Sequence, residues 1–394
     1  MLDVNCQSIK PDAEDGFASN RATREIAALN AEDLGVYGKI GDQGFIRAEP
    51  QVCRERMDAS ITKMKELFVG KDDIIDLCAA SLLARTPMIL LGPPGTAKSA
   101  VVRVFCTLLG LRPKHWDISE FENNLKDSLN ELENDEKSLN DQDLANIRVG
   151  DRPLFEYLVT RFTTPEEILG TANIDALLKL SVYYRETDGM LPSSQIAFLD
   201  EIFKANSSIL NSLLSIVNER LFYNAGRPFA VNLLTVFGAS NEIPDSDELA
   251  ALFDRFPIRV ISDNVADEQV EEMVTKSVND ADARMKGADL QSLSETACLN
   301  DFRLLGRLLP IVYPWNPGGE FETHFVQLFK SLRMEFGISD RTANRLVMVA
   351  RAMSFINGQY TLGSKSLRVF KYCFTEMDYA KILEDIVETT IKGL

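Results

Sequence analysis

The fold is decided by residues 87–106, which read PMILLGPPGTAKSAVVRVFC. A short apolar run precedes a loop rich in glycine and proline, and apolar residues at helical spacing follow it. This order predicts a buried strand, a phosphate-binding loop and a helix, because the loop N–H groups and the positive end of the helix together surround an anion. The predicted phosphate-binding residues are Gly92, Pro93, Pro94, Gly95, Thr96, Ala97, Lys98 and Ser99.

The loop departs from the usual pattern G-x-x-x-x-G-K-[ST] at one position, because Ala97 stands where glycine is expected before Lys98. If the backbone of Ala97 has a negative φ, glycine is not required there. If φ is positive, alanine costs roughly 1 kcal/mol or more. In a working site Lys98 neutralises the β- and γ-phosphates and Ser99 is a ligand of Mg²⁺.

Two further apolar runs end in polar side chains. IAFLDEI, residues 196–202, brings Asp200 and Glu201 to the end of a predicted strand, and LLTVFGASNE, residues 233–242, does the same for Asn241. Ligands bind at the carboxyl edge of a parallel sheet. We therefore expect Asp200 to hold Mg²⁺, Glu201 to act as general base, and Asn241 to orient the water or touch the γ-phosphate. The alternative for each is a polar turn after a strand.

Two arginines are candidates for contact with phosphate. Arg255 follows an apolar helical stretch in ELAALFDRFPIRV, and it could reach a phosphate bound by a neighbouring subunit. A surface salt bridge is the alternative for this residue. Ser339 is a predicted N-cap, which puts Arg341 in the first turn of a helix, where the dipole disfavours a cation. That misfit indicates an anionic partner for Arg341, such as a phosphate.

The chain divides into an α/β part and a helical part. Strands alternate with helices up to about residue 262, which predicts a parallel sheet, and the rest of the chain has helical periodicity. We also expect two hairpins, VYYRETDGMLPSSQ with TDGM at its tip and LFYNAGRPFAV. The predicted units are an N-terminal extension (1–55), an α/β core (56–262) with an acidic insertion at about 117–143, a helical domain (263–378), and a C-terminal helix or tail (379–394).

Composition restricts the classes of function. The net charge of −17 disfavours nucleic acid or an anionic membrane as the main partner. The six cysteines form no C-x-x-C pair, which argues against a zinc site. The chain has only two histidines, which argues against histidine-centred catalysis. The N-terminus lacks the apolar core of a signal peptide and no apolar run is long enough to span a bilayer, so we expect a cytoplasmic protein.

The motifs occur in the order found in AAA+ ATPases. The stretches YLVTRFTTPEEILG, FLDEIFKANSSILNSLLSIVNERLF, ASNEIP, ALFDR and ISDR are similar to the RavA branch of the MoxR family, within the clade that carries a helix-2 insert. That branch also has alanine before the loop lysine, so the resemblance favours a working site. It covers about residues 55–378, and it implies a P-loop α/β domain with a parallel sheet followed by an all-helical lid.

The resemblance also implies roles and partners. It implies ATP and Mg²⁺ as cofactors, a homo-oligomeric ring that is usually hexameric, and sites at subunit interfaces. Asn241 matches sensor 1, Arg255 the finger that acts on a neighbour, and Arg341 sensor 2. MoxR proteins are thought to act as chaperone-like remodellers of a client, often beside a partner with a von Willebrand factor A domain.

Two departures limit what is transferred, and two alternatives remain. The acidic stretch is an insertion, and the chain stops soon after the lid, so the lysine decarboxylase partner of RavA is not carried over. One alternative is a nucleotide-gated scaffold that binds ATP with little hydrolysis. The other is a motor that serves nucleic acid, as in McrB-type restriction systems.

Overall fold

The computed structural model describes residues 37–39, 45–47, 50–111, 154–242, 247–285 and 297–394. The expected acidic insertion at 117–143 lies outside these residues, as does most of the stretch 1–55. The strands are β1 (Tyr37–Lys39), β2 (Phe45–Arg47), β3 (Met88–Leu91), β4 (Leu154–Leu158), β5 (Ile196–Asp200), β6 (Leu221–Asn224), β7 (Arg227–Ala230), β8 (Thr235–Ser240) and β9 (Ile258–Ile261). The α-helices are α1 (Pro50–Leu67), α2 (Asp72–Ala84), α3 (Lys98–Leu108), α4 (Pro165–Leu169), α5 (Ile174–Leu180), α6 (Ser207–Glu219), α7 (Asp247–Phe253), α8 (Val270–Met285), α9 (Leu299–Val312), α10 (Glu320–Phe336), α11 (Asp340–Ile356) and α12 (Met377–Gly393).

The main sheet has five parallel strands in the order β4-β5-β8-β3-β9. All four residues of β3 are buried between its neighbours and the helices on both faces, as expected of a strand that reads as a continuous apolar run. Because the strands are parallel, the residues that follow β3, β5 and β8 all emerge at the carboxyl edge. The predicted α/β architecture is confirmed.

Helix starts follow the expected local chemistry. The backbone N–H of Thr164 donates to Glu167 Oε1 at 2.8 Å, which completes a capping box with Pro165 at the first helical position. Asn206 caps α6 by accepting from the N–H of Ile209 at 3.2 Å. Ser339 caps α11, as predicted.

The helices after β9 form the predicted lid, and two buried contacts join them to the sheet. Phe105 on α3 makes edge-to-face contacts with Phe237 on β8 and with Phe302 on α9. Arg259 on β9 is buried, and its guanidinium donates to the carbonyl oxygens of Cys373 and Phe374. The helical part is thereby packed and hydrogen-bonded onto the sheet.

Of the two predicted hairpins, one is confirmed and one is wrong. β6 and β7 pair in antiparallel register around Ala225 and Gly226. The stretch 182–195 contains no strand, although the turn at its predicted tip exists, with the N–H of Met190 donating to Thr187 O at 3.0 Å.

The first half of that stretch pairs with residues that precede it instead of those that follow. The N–H of Asn173 donates to Tyr184 O at 2.7 Å, and Ala172 and Arg185 form an isolated antiparallel bridge. Pro192 lies in a 3₁₀ turn directly after the predicted tip, where it has no N–H to donate to a ladder. The predicted second strand of the hairpin therefore does not form.

The first helix starts earlier than expected. α1 begins at Pro50, inside the stretch assigned to the N-terminal extension.

Within the residues that the structure describes, no helix combines the length and apolarity that crossing a bilayer requires.

A close approach between α9 and α2 gives a test of the packing. A Cβ added at Gly306 would lie 2.5 Å from Leu83 O, so we expect Gly306→Ala to lower the free energy of unfolding by about 1–3 kcal/mol through overpacking. Chemical denaturation measures the change. The control is Gly393→Ala near the exposed end of α12, where an added Cβ meets nothing within 4 Å. Equal effects of the two substitutions would contradict the packing argument.

Candidate nucleotide-binding site

The loop after β3 is fixed between the two neighbouring strands. The N–H of Gly92 donates to Ser240 O at the end of β8, and the N–H of Ser262 after β9 donates to Leu91 O at 2.7 Å. A Cβ at Gly92, where φ is 144°, would lie 2.4 Å from Ser262 O, so this position requires glycine. At Gly95 the φ of 87° alone favours glycine, since an added Cβ would face open space.

Ala97 has a positive φ of 64°, in the left-handed region, so the second of the two alternatives for this residue holds. It is the residue before α3, where the loop turns into the helix. An L-residue pays about 1–2 kcal/mol for this conformation. Such strain persists only where the surrounding structure holds the backbone in place, and it is common at functional sites.

Lys98 is buried, with 7% of its surface exposed, and its ammonium has three acceptors. It donates to Gly92 O at 2.7 Å, to Pro93 O at 2.8 Å and to Asn241 Oδ1 at 2.9 Å. Burial lowers the pKa of Lys98 because it disfavours the charged form, while the carboxylates of Asp200 and Glu201 act in the opposite direction.

The predicted metal-binding pair is in contact. Ser99 Oγ donates to Asp200 Oδ2 at 2.7 Å, which joins the first turn of α3 to the end of β5. The next residue, Glu201, has a φ of 55°, and its N–H donates to Asp200 Oδ1 at 3.1 Å. The hydroxyl and carboxylate oxygens of this pair are the ligand types that Mg²⁺ prefers.

Asn241 connects the lysine to the predicted general base. Its Oδ1 accepts from Lys98, and its Nδ2 donates to the carboxylate of Glu201. Lys204 lies 3.3 Å from the other oxygen of that carboxylate. The predicted residues Lys98, Ser99, Asp200, Glu201 and Asn241 are thus one hydrogen-bonded group at the carboxyl edge of the sheet.

The two predicted arginines, Arg255 and Arg341, lie next to each other and make no contact with the Lys98 group. Arg341 Nη1 is 3.0 Å and Arg255 Nη1 is 3.5 Å from the same oxygen of Asp254. Burial lowers the pKa of Arg255, and the nearby charge of Arg341 lowers it further. Asp254 is the anion next to Arg341 in this structure, and two arginines with one carboxylate leave an excess of one positive charge; a phosphate as the partner of Arg341 stays a prediction.

The sheet separates these arginines from the phosphate loop. β9 runs parallel to β3 with Ile258 opposite Met88, so Arg255, three residues before β9, lies at the amino edge. The loop begins at Gly92 on the carboxyl edge. A four-residue strand spans about 13 Å, so Arg255 and Arg341 do not belong to the Lys98 group of their own chain.

Sequence reasoning missed a second buried lysine near the loop. Lys71 is 6% exposed, and it donates to Ser262 Oγ at 3.3 Å and to Asp263 O. Ser262 Oγ in turn donates to Thr96 O at 2.9 Å. Burial lowers the pKa of Lys71, and the charge of Lys98 lowers it further. No motif indicates this role, because Lys71 reaches the loop through a residue far along the chain.

The residues present fit a nucleotide with Mg²⁺. The Cβ-free positions Gly92 and Gly95 leave the loop backbone approachable, a lysine ammonium lies beside it, and a hydroxyl–carboxylate pair is 2.7 Å apart. A parallel sheet with this loop after an interior strand, β3, and with a helical lid after its last strand defines an AAA+ P-loop module.

The comparison with family models agrees with the fold. The model of the MoxR domain found in MoxR–vWA–β-propeller ternary systems matches residues 55–124 and 137–299. The chain belongs to the MoxR family of AAA+ proteins.

Relatives of this chain include two uncharacterised proteins of Methanocaldococcus jannaschii. They are 28% identical over 79% of this chain and 69% of the relative, and 29% identical over 79% and 68%. A structural protein of Acidianus two-tailed virus is 25% identical over 60% of this chain and 34% of its own length. The crystal structure of a proposed ATPase from Cytophaga hutchinsonii superposes with a TM-score of 0.59 at 16% identity, over 88% of this chain and 96% of that one, which shows the shared fold.

The strain at Ala97 can be tested by restoring glycine. Ala97→Gly is expected to raise the free energy of unfolding by about 1 kcal/mol, because glycine adopts positive φ without the Cβ clash. Ala225→Gly is the matched control, since Ala225 also has a positive φ of 50° but lies in the β6–β7 turn. Denaturation should show similar gains for both variants, and a loss of stability in Ala97→Gly alone would refute the strain.

Proposed function

We propose that the protein is a RavA-like MoxR ATPase, which hydrolyses ATP in an oligomeric ring, usually a hexamer, and uses the energy to remodel or activate a partner protein. The observation that carries the proposal is the group of five polar side chains at the carboxyl edge, in which Lys98, Asn241 and Glu201 are linked in series beside the Ser99–Asp200 pair. The RavA-like assignment is supported by the sequence stretches that resemble that branch.

In the proposed reaction the loop and Lys98 bind the phosphates. The ammonium already has oxygen acceptors on three sides, and phosphate oxygens would exchange for the carbonyl oxygens of Gly92 and Pro93. Because Lys98 is buried, its charge is less screened than that of an exposed lysine, and an anionic ligand would gain more from it; the same burial lowers the pKa of Lys98, and a bound anion would act in the opposite direction.

Ser99 and Asp200 would hold Mg²⁺, which neutralises charge that develops on the phosphates. Glu201 would accept a proton from the attacking water as general base. Asn241 holds the Glu201 carboxylate through its Nδ2 group and contacts Lys98 through its Oδ1 atom. It therefore keeps the base at a fixed position relative to the cation that binds the phosphate.

Arg255 and Arg341 would act on the ATP of a neighbouring subunit. They share Asp254 at the amino edge, away from the phosphate loop of their own chain, which supports action between chains. A guanidinium placed at the phosphate of a neighbour stabilises charge in the transition state. Each site would then need two copies of the chain, and the repeated head-to-tail contact closes into a ring.

The partner is proposed from the family. The matching family model describes MoxR domains that work with von Willebrand factor A and β-propeller proteins, which supports a partner with a von Willebrand factor A domain. The protein client would be the substrate of remodelling.

Mixing two inactive variants tests the shared site. We expect Lys98→Ala and Arg255→Ala each to abolish ATP hydrolysis, the second by about 10³-fold or more. A random equal mixture should recover about a quarter of the sites, since an intact loop on one copy then meets an intact arginine on the next. Phosphate release by each variant and by the mixture is the measurement.

Glu201→Gln is the control, because it should retain ATP binding while losing hydrolysis. Mixtures with no recovered activity would contradict action between chains. Tight ATP binding by the unmodified protein without phosphate release would favour the nucleotide-gated scaffold instead.

One observation favours the second candidate, a motor for nucleic acid. Burial lowers the pKa of Arg85 and of Arg303, and the nearby charge of Arg307 lowers both further; no ion pair forms at these three arginines among the described residues. Such an unpaired basic cluster in an acidic chain could bind phosphates.

Binding to double-stranded DNA at two salt concentrations tests this candidate. A nucleic-acid motor predicts affinity that falls by about tenfold or more between low and moderate salt and weakens in Arg307→Gln. Glu335→Gln, on a different helix, is the control. ATP hydrolysis that is insensitive to DNA, with no salt-sensitive binding, would leave the protein-remodelling function.

A further inference from the structure

A groove lies between α10 and α11, on the lid and apart from the nucleotide site. Its volume is about 580 Å³, and it is lined mainly by apolar side chains, with Asp340, Asn344 and Arg351 as its polar residues. Trp315, Phe325, Phe329, Val347 and Met348 form its apolar walls, and Arg351 lies among them. Trp315 packs edge-to-face on Phe325 with ring centroids 6.0 Å apart, which gives the groove a fixed aromatic wall.

Arg351 is only 9% exposed, yet its charge is not balanced. Among the described residues its one hydrogen bond runs from Nη1 to Met348 Sδ at 3.2 Å, and a thioether is a weak acceptor. In the part of the chain that the structure describes, the Nε atom is buried with no partner, and no carboxylate pairs with this guanidinium. Burial lowers the pKa of Arg351, and no carboxylate offsets this effect.

Arg259 shows how this chain satisfies a buried arginine that serves the fold. It is 3% exposed, and its guanidinium donates to the carbonyl oxygens of Phe256, Cys373 and Phe374. Arg351 has no such set of acceptors. Leaving a buried cation unpaired costs free energy, so Arg351 is poorly explained as a structural residue.

We infer that the groove between α10 and α11 is a docking site for a helical segment of a partner protein, whose carboxylate pairs with Arg351 and whose apolar side chains pack on Phe329, Val347 and Met348. Charge complementarity selects the occupant, because a carboxylate supplies the acceptor that the guanidinium lacks. Apolar anchors beside it match the aromatic and aliphatic walls.

The shape of the groove fits a chain segment better than a small molecule. The face of α11 that lines it extends from Asp340 to Arg351, which is about 16 Å at the rise of an α-helix. Asp340, at the other end of this face, is already paired with Arg333 at 2.8 Å, so Arg351 carries the unbalanced charge on this face. A helix in the groove would therefore place its carboxylate at the Arg351 end. This docking site does not depend on the proposed ATPase activity.

A stability measurement separates a ligand-binding arginine from a structural one. Arg351→Met keeps a similar volume and removes the unpaired charge, so Tm is expected to rise by about 2 °C or more. Arg259→Met should lower Tm, because it removes bonds that hold the sheet edge. Arg345→Met, on the same helix outside the groove, is the matched control and should change Tm little. A fall in Tm for Arg351→Met would overturn the inference.

Binding is measured with a pair of capped helical peptides of about 15 residues. Both carry leucines along one face, and they differ only in one glutamate or glutamine at the end of that face. In a Trp116→Phe background the fluorescence of Trp315 reports on the groove. We expect the glutamate peptide to bind about tenfold more tightly than the glutamine peptide, and Arg351→Met to remove this difference.

Equal binding of the two peptides, or no binding of either, would overturn the inference. Analytical ultracentrifugation of Val347→Asp tests whether a second copy of this chain occupies the groove instead. If this substitution breaks the assembly of copies and neither peptide binds to the groove, the groove is an interface between copies and the partner assignment is wrong. An assembly unchanged by Val347→Asp, together with lost binding of the glutamate peptide, supports the docking site.

Discussion

The candidate site depends on how the buried ammonium of Lys98 is satisfied. A cation in this position needs acceptors on every side. They come from two strands, with Gly92 and Pro93 after β3 and Asn241 after β8. Because β3 and β8 are paired in parallel register, their ends stay together, and the amide of Asn241 can hold Glu201 at the same time. One charge thus fixes the loop, the sensor and the general base of the proposed ATPase relative to each other.

Strained backbone lies on both sides of this cation. Ala97 and Glu201 both have positive φ, at about 1–2 kcal/mol each for a residue with a Cβ. The burial of β3 and β5 stabilises the sheet by far more than this, so the edge tolerates the strain. At Ala97 the turn aims the first N–H groups of α3 into the loop, and at Glu201 it directs the side chain towards Asn241. At both of these positions the chain changes direction at the carboxyl edge of the sheet.

Much of this arrangement could be predicted from local sequence. The strands, the loop and the side chains at the strand ends follow from apolar runs and the residues next to them, and the structure brings Lys98 and Asn241 together as expected. The role of Lys71 could not be predicted, because its partner Ser262 is 191 residues away. The hairpin at 182–195 was wrong for a related reason, since a β-prone run does not specify which segment it pairs with. The sign of φ at Ala97 could not be predicted from the sequence, because it is set by the path of the folded loop.

The two charged centres at opposite edges of the sheet are the reason why the proposed reaction needs more than one copy of the chain. Lys98 at one edge and the pair of arginines at the other lie apart within one chain, and in the proposed ring they would meet between copies arranged head to tail. Arg255 belongs to the α/β core and Arg341 to the lid, and Asp254 joins them. A neighbour's phosphate would therefore contact core and lid together. A change in that phosphate would alter the balance of charge around Asp254, and the lid would respond to hydrolysis in the next subunit.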